Sequence, residues 1–166
     1  MHDKTVDLED HHIGFSEGPE NGPVLVLIHG LSGRRDSFLP VIPTLLDRFH
    51  LFAMDQRGHG LSGMKPGHYA IQDYTADLIG VLRTMFTEPV FVWGQSLGAA
   101  ITIEAVVEAP ELFRAVVLED PPLGRSKSRS SLVSIFPVWH ELASSSLSVE
   151  EIEQRLVGLN MQGTGA

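Results

Sequence analysis

The stretch Val90-Phe91-Val92-Trp93-Gly94-Gln95-Ser96-Leu97-Gly98-Ala99-Ala100 decides how the rest of the chain is read. A short apolar run ends in Gly-x-Ser-x-Gly and passes without a spacer into an Ala- and Ile-rich segment. A buried strand that turns sharply into a helix is written this way, and such a turn lifts Ser96 clear of the sheet with the first helical amides beneath it. Gly94 and Gly98 suit the turn because a side chain at either place would push strand and helix apart. Ser96 could instead simply fit a tight turn, but Gly or Ala would do that with less strain.

Upstream, Val24-Leu25-Val26-Leu27-Ile28 is continuously apolar and short, as expected of a strand covered on both faces. It runs into His29-Gly30-Leu31-Ser32-Gly33, a polar glycine loop at the strand's carboxyl end. The pattern then predicts a helix with Ile42, Leu45, Leu46 and Phe49 on one face, its regular part limited by Pro40 and Pro43. Leu51-Phe52-Ala53-Met54 reads as another buried strand and ends in Asp55-Gln56-Arg57-Gly58-His59-Gly60. Residues 61–70 read as a loop, and from Asp73 a helix is predicted with Tyr74, Leu78, Val81, Leu82 and Met85 at helical spacing.

Downstream of Ser96 the helix should run to about Ala109 and stop at Pro110. Ala115-Val116-Val117-Leu118 reads as a further buried strand, closed by Glu119-Asp120-Pro121-Pro122. Residues 4–16 alternate weakly and fit one or two edge strands. Strands alternating with helices predict an α/β class: a mostly parallel sheet with helices on both faces.

Past Pro122 the texture changes. Residues 125–131, Arg-Ser-Lys-Ser-Arg-Ser-Ser, are basic and of low complexity, and read as a solvated loop in preference to a phosphate site. An apolar segment from Leu132 to Leu142 carries Trp139 and His140. Ser148-Val149-Glu150-Glu151 is a capping box that should open a helix with Ile152, Leu156, Val157 and Leu159 on one side. Two regions are expected: a core over 1–122 and a helical segment over 123–166.

Composition narrows the function. The 43% hydrophobic and 20% charged fractions are those of a soluble globular domain. A net charge of −9 argues against a nucleic-acid backbone or an anionic membrane as partner. No apolar run approaches the ~20 residues needed to span a bilayer, and the polar start Met1-His2-Asp3-Lys4 shows no signal peptide. Cysteine is absent, which excludes disulfides, thiolate metal sites and a Cys nucleophile, and fits the cytoplasm. No His/Asp/Glu cluster has metal-ligand spacing. Neither a P-loop nor Gly-x-Gly-x-x-Gly follows the first parallel strand, so no metal or other cofactor is expected.

His29-Gly30, then the 55–60 turn, then Gly94-Gln95-Ser96-Leu97-Gly98 occur in one order, each at the carboxyl end of an apolar strand. In this the chain resembles the α/β-hydrolases over roughly residues 5–122, and the helical part beyond looks like the start of their lid. The resemblance implies acyl transfer from a small-molecule ester or related acyl compound, with Ser96 as nucleophile. It also implies an oxyanion hole from the backbone amides of Leu31 and Leu97, supported by a turn of His29, Gly30, Gly94, Gln95 and Gly98. His29 and His59 match structural positions of the family, and Asp55 reads as fixing its turn rather than as the acid. Dehalogenase and epoxide-hydrolase chemistry of the same fold would need a carboxylate where Ser96 stands.

One part of the pattern departs. The family's order is nucleophile, acid, histidine. The acid and histidine usually follow strands beyond the lid, and no residue here matches that histidine. Asp120, or Glu119, matches the place where some members carry the acid. The expectation is an amino-terminal portion of a serine hydrolase, truncated before its last strands, with a sheet edge at Val116-Val117-Leu118 open to self-association or to a partner chain. Two other readings stay open: a non-catalytic binding module, and one half of a two-chain hydrolase.

Overall fold

The computed structural model describes residues 1–122, 141 and 144–162, with side chains through Arg155. Contacts divide the chain into a unit over 1–123 and one over 124–166. The first unit holds six strands in the order β1-β2-β4-β3-β5-β6. These are β1 (His2–Asp7), β2 (His12–Glu17), β3 (Val24–Ile28), β4 (His50–Met54), β5 (Val90–Gln95) and β6 (Phe113–Glu119). β3 pairs in parallel with β4 and β5, and β5 with β6, while β1 and β2 add an antiparallel pair beside β4.

The two sheet faces carry separate cores, because alternate side chains of a strand point opposite ways. On one face Val26, Ile28, Met54 and Val92 pack under α2 (Ile71–Met85) and α3 (Leu97–Glu108), through Leu78, Leu82, Ile101 and Ala105. On the other, Leu25, Leu27, Leu51 and Ala53 meet Phe38 and Ile42. Asp73 accepts the Ala70 N–H at 2.8 Å, which caps α2 two residues earlier than the apolar spacing suggests.

Two expectations fail. The helix read through Phe49 is a single turn, α1 (Ile42–Leu45), preceded by a 3-10 turn over Arg35–Phe38. Pro43 lies in its first turn, where no amide donor is needed, so the helix stops short because the chain must reach β4 by His50. β6 is not buried either: Ala115, Val117 and Leu118 are exposed, Val117 by 52%. Its apolar residues do match a parallel strand, but β5 flanks it on one side and no strand on the other among the described residues.

In the second unit α4 (Val149–Gln162) begins at the expected capping box. Ser148 N–H donates to Glu151 Oε2 at 2.8 Å, and Glu151 N–H to Ser148 Oγ at 3.3 Å. The basic run at 125–131 and the segment with Trp139 and His140 lie outside the described residues.

Candidate active site

The parallel strands β3, β4, β5 and β6 all end on one edge of the sheet, so the loops after them converge. Ser96 sits between β5 and α3 with φ +50° and ψ −109°. A left-handed conformation there costs a non-glycine residue about 1–3 kcal/mol, and such strain gathers at functional sites. The Ser96 hydroxyl is partly exposed and has no hydrogen-bond partner among the described residues. Its N–H donates to the Glu119 carbonyl at 2.8 Å, tying the turn to the end of β6. Leu97 opens α3, so its N–H is among the amides without an intrahelical acceptor.

Both elbow glycines are required by contact. A Cβ on Gly94 would lie 2.4 Å from the Gly98 carbonyl oxygen and 2.6 Å from Thr102 Oγ1, which itself donates to Gly98 O at 2.7 Å. A Cβ on Gly98 would lie 2.2 Å from the Ile28 carbonyl oxygen. The helix therefore lies directly on the end of β3. Gly30 brings the β3 loop against the nucleophile: a Cβ there would stand 3.3 Å from that of Ser96. The Leu31 N–H that follows takes part in no hydrogen bond among the described residues.

His29 is wholly buried. Its Nδ1 donates to the Gly30 carbonyl at 2.7 Å, and its Nε2 accepts the Gln56 N–H at 3.0 Å. A neutral ring with its proton on Nδ1 satisfies both bonds. Burial drives its pKa from 6.5 down to about 4, against the pull of the Gly30 carbonyl, and the charge of His59 adds to the fall. Between those values the unfolded chain takes up a proton that the native ring refuses. Stability contributed by the neutral ring is thus present above 6.5 and lost as pH falls through about 4. The expected loss is about 3 kcal/mol. In urea unfolding at pH 7 and pH 4, His29→Gln should show the smaller drop; an unchanged drop would contradict this.

Asp55 is buried and holds its turn. It receives Arg35 N–H at 2.7 Å, the Arg35 guanidinium at 2.6 Å and Leu61 N–H at 2.9 Å. His59 lies 5.0 Å from His29, ring to ring, and both of its nitrogens face backbone carbonyls. His11, His12, His50 and His68 are engaged with Asp10 and Asp77, Leu61 O, Glu17 and Asp73 respectively.

Of the two carboxylates at the end of β6, Glu119 has a job that sequence reasoning missed. Trp93 Nε1 donates to it at 2.9 Å and Gln95 Nε2 at 3.2 Å, so with its carbonyl it braces the elbow at three points. Parallel register puts Gln95 opposite Glu119, a proximity visible only once β5 and β6 are paired. Asp120 is exposed, has φ +46° and forms no hydrogen bond or ion pair among the described residues. Glu119→Ala should cost about 1–3 kcal/mol, since it strips two donors of their acceptor. Asp120→Asn should stay within about 0.5 kcal/mol, as an exposed change that left-handed backbone tolerates. Denaturant midpoints would separate the two, and equal losses would contradict the brace.

Among the described residues no group of three or more His, Cys, Asp or Glu side chains is arranged to hold a metal ion. No described helix is long and apolar enough to cross a membrane.

Known proteins of similar sequence and structure bear on this arrangement. A 2-(acetamidomethylene)succinate hydrolase of Mesorhizobium japonicum is 38% identical over 100 residues, 60% of this chain and 36% of that protein. The magnesium-chelatase 30 kDa subunit of Rhodobacter capsulatus is 33% identical over 94 residues, 56% of this chain and 33% of that protein. The crystal structure of an E-2-(acetamidomethylene)succinate hydrolase superposes with a TM-score of 0.75 at 32% identity, covering 80% of this chain and 50% of that one. This chain thus spans half or less of the length of each. A family model described as the alpha/beta hydrolase fold matches residues 23–147, which include all four parallel strands β3 to β6 and the Gly30 loop packed against Ser96. The chain belongs to the alpha/beta hydrolase fold family.

Proposed function

We propose that this chain carries the nucleophile half of a serine hydrolase that cleaves an ester or related acyl compound through an acyl-Ser96 intermediate. The observation that carries the reading is the Ser96 hydroxyl on a left-handed turn, without a hydrogen-bond partner among the described residues and with Gly30 packed against it. The Ser96 oxygen attacks the acyl carbon, and its proton passes to a base. The carbonyl oxygen becomes an oxyanion that accepts the Leu97 and Leu31 N–H groups. Each aimed donor lowers the barrier by about 3 kcal/mol in comparable sites.

His29 and His59 are engaged with the backbone and are not candidates for the base. The base therefore comes from outside the loops that surround Ser96, and Asp120 is the candidate acid to orient it. The relatives' names narrow the substrate only so far, because two of comparable identity carry unlike names. Acylated succinates are the first compounds to try, with simple activated esters beside them. Without its base a triad enzyme keeps only a small residue of its rate. The test is therefore a burst: mixing the chain with an activated aryl ester should release one equivalent of phenol, absent in Ser96→Ala. No burst, or the same burst in Ser96→Ala, would overturn the reading.

A two-chain hydrolase is favoured by one observation: among the described residues no strand pairs with the outer edge of β6, where Val117 and Leu118 are exposed. A strand added there would bring its own carboxyl-end loop beside Ser96. Sizing chromatography tests that: association on adding the partner chain supports it, and a monomer in its presence counts against it.

A further inference from the structure

His59 has each ring nitrogen within hydrogen-bond distance of a carbonyl oxygen, two bonds that a neutral ring cannot make at once. Its Nδ1 lies 3.0 Å from the Arg57 carbonyl oxygen and its Nε2 2.9 Å from the Leu31 carbonyl oxygen. Carbonyl oxygens only accept, and neutral imidazole has a single N–H, so both bonds exist together only when both nitrogens carry protons. One of the two carbonyls belongs to Leu31, the residue whose N–H is offered as an oxyanion donor. The other belongs to the turn that Asp55 fixes through Leu61 N–H and the Arg35 pair. His59 thus spans from a rigid turn to the residue whose aim matters.

The geometry points to His59 as a proton-dependent positioning residue of the oxyanion loop: doubly protonated, it holds Leu31 to the β4 turn, and on losing a proton it releases one end. The inference rests on the reading of Leu31 as a donor in hydrolysis. The groups around the ring do not supply a substitute proton. His29, 5.0 Å away, is neutral above about pH 4 because it is buried. Arg34 and Asp36 border the same cleft and pair with one another at 2.9 Å. The Arg57 guanidinium is turned into Asp77, with both contacts at 2.6 Å, and Arg35 is committed to Asp55 and Asp3.

The experiment is a pH titration of the intact chain by NMR, following the His59 ring nitrogens and the Leu31 amide. The Leu31 amide should move with the same midpoint as the His59 ring, and that movement should vanish in His59→Gln, whose amide nitrogen keeps one carbonyl at every pH. A Leu31 amide that stays still while His59 titrates, or that moves equally in His59→Gln, overturns the inference. Wild-type titration alone decides the first point even if the variant fails to fold. The rate of the aryl-ester burst provides a separate readout. It should fall severalfold as His59 deprotonates, short of the ~10²-fold cost of removing a donor outright. A Leu31 amide that tracks His59 with no burst at any pH would sink the hydrolase reading and uphold the clamp.

Discussion

Gly98→Ala is expected to destabilise the first unit by about 3 kcal/mol or more, and to abolish the ester burst in whatever fraction still folds. The new methyl would sit 2.2 Å from the Ile28 carbonyl oxygen and 2.8 Å from that of His29, and neither backbone atom can swing aside as a side chain would. Overpacking in a tight core costs about 1–3 kcal/mol when side chains can adjust, and more when they cannot. Relief requires α3 to lift off β3, which moves Ser96 and Leu97 together away from the Gly30 loop. Gly94→Ala should act alike, from the other side of the same contact. Urea unfolding measures the loss, and a variant within about 0.5 kcal/mol of the parent would mean that helix and strand are not in contact there.

Asp55→Ala should cost about 3–5 kcal/mol, the usual result of removing one partner of a buried ion pair. Asp55 is 0% exposed and Arg35 13%, so the guanidinium would lose its nearest charge partner in a place water reaches poorly. The Arg35 and Leu61 amides would lose their acceptors as well, loosening the 3-10 turn that starts at Arg35 and the turn after β4. The control is Asp3→Ala, at the outer end of the same guanidinium with a carboxylate 52% exposed. It should cost under about 1 kcal/mol, as exposed pairs do. Comparable losses for the two variants, read from denaturant midpoints, would contradict a buried anchor.

The parts of this fold that could be read from sequence are those in which chemistry is written locally. Gly94, Ser96 and Gly98 mark the elbow within five residues, and apolar runs such as Leu51–Met54 announce parallel strands by composition alone. Ser148 and Glu151 announce a helix start in the same way. What stayed hidden depends on partners distant in the chain. β6 has the composition of a buried strand, and its place at the edge is legible only from the family's strand order, not from its own residues. Glu119 looks like a rival to Asp120 for the acid in the sequence, because nothing near it names Trp93 and Gln95 as its donors. His59 is legible as a turn residue, but its second carbonyl lies twenty-eight positions away. α1 is shorter than its apolar spacing suggests because Leu46 and Phe49 keep that spacing beyond the last helical residue, Leu45.

Everything functional in this account depends on the Ser96 oxygen being a nucleophile that faces two free amides. Exposure to a fluorophosphonate followed by intact-mass and peptide mass spectrometry tests that directly. Slow but stoichiometric labelling is expected, one adduct per chain on Ser96, lost in Ser96→Ala. An unmodified chain, or an adduct that persists in Ser96→Ala, would contradict it.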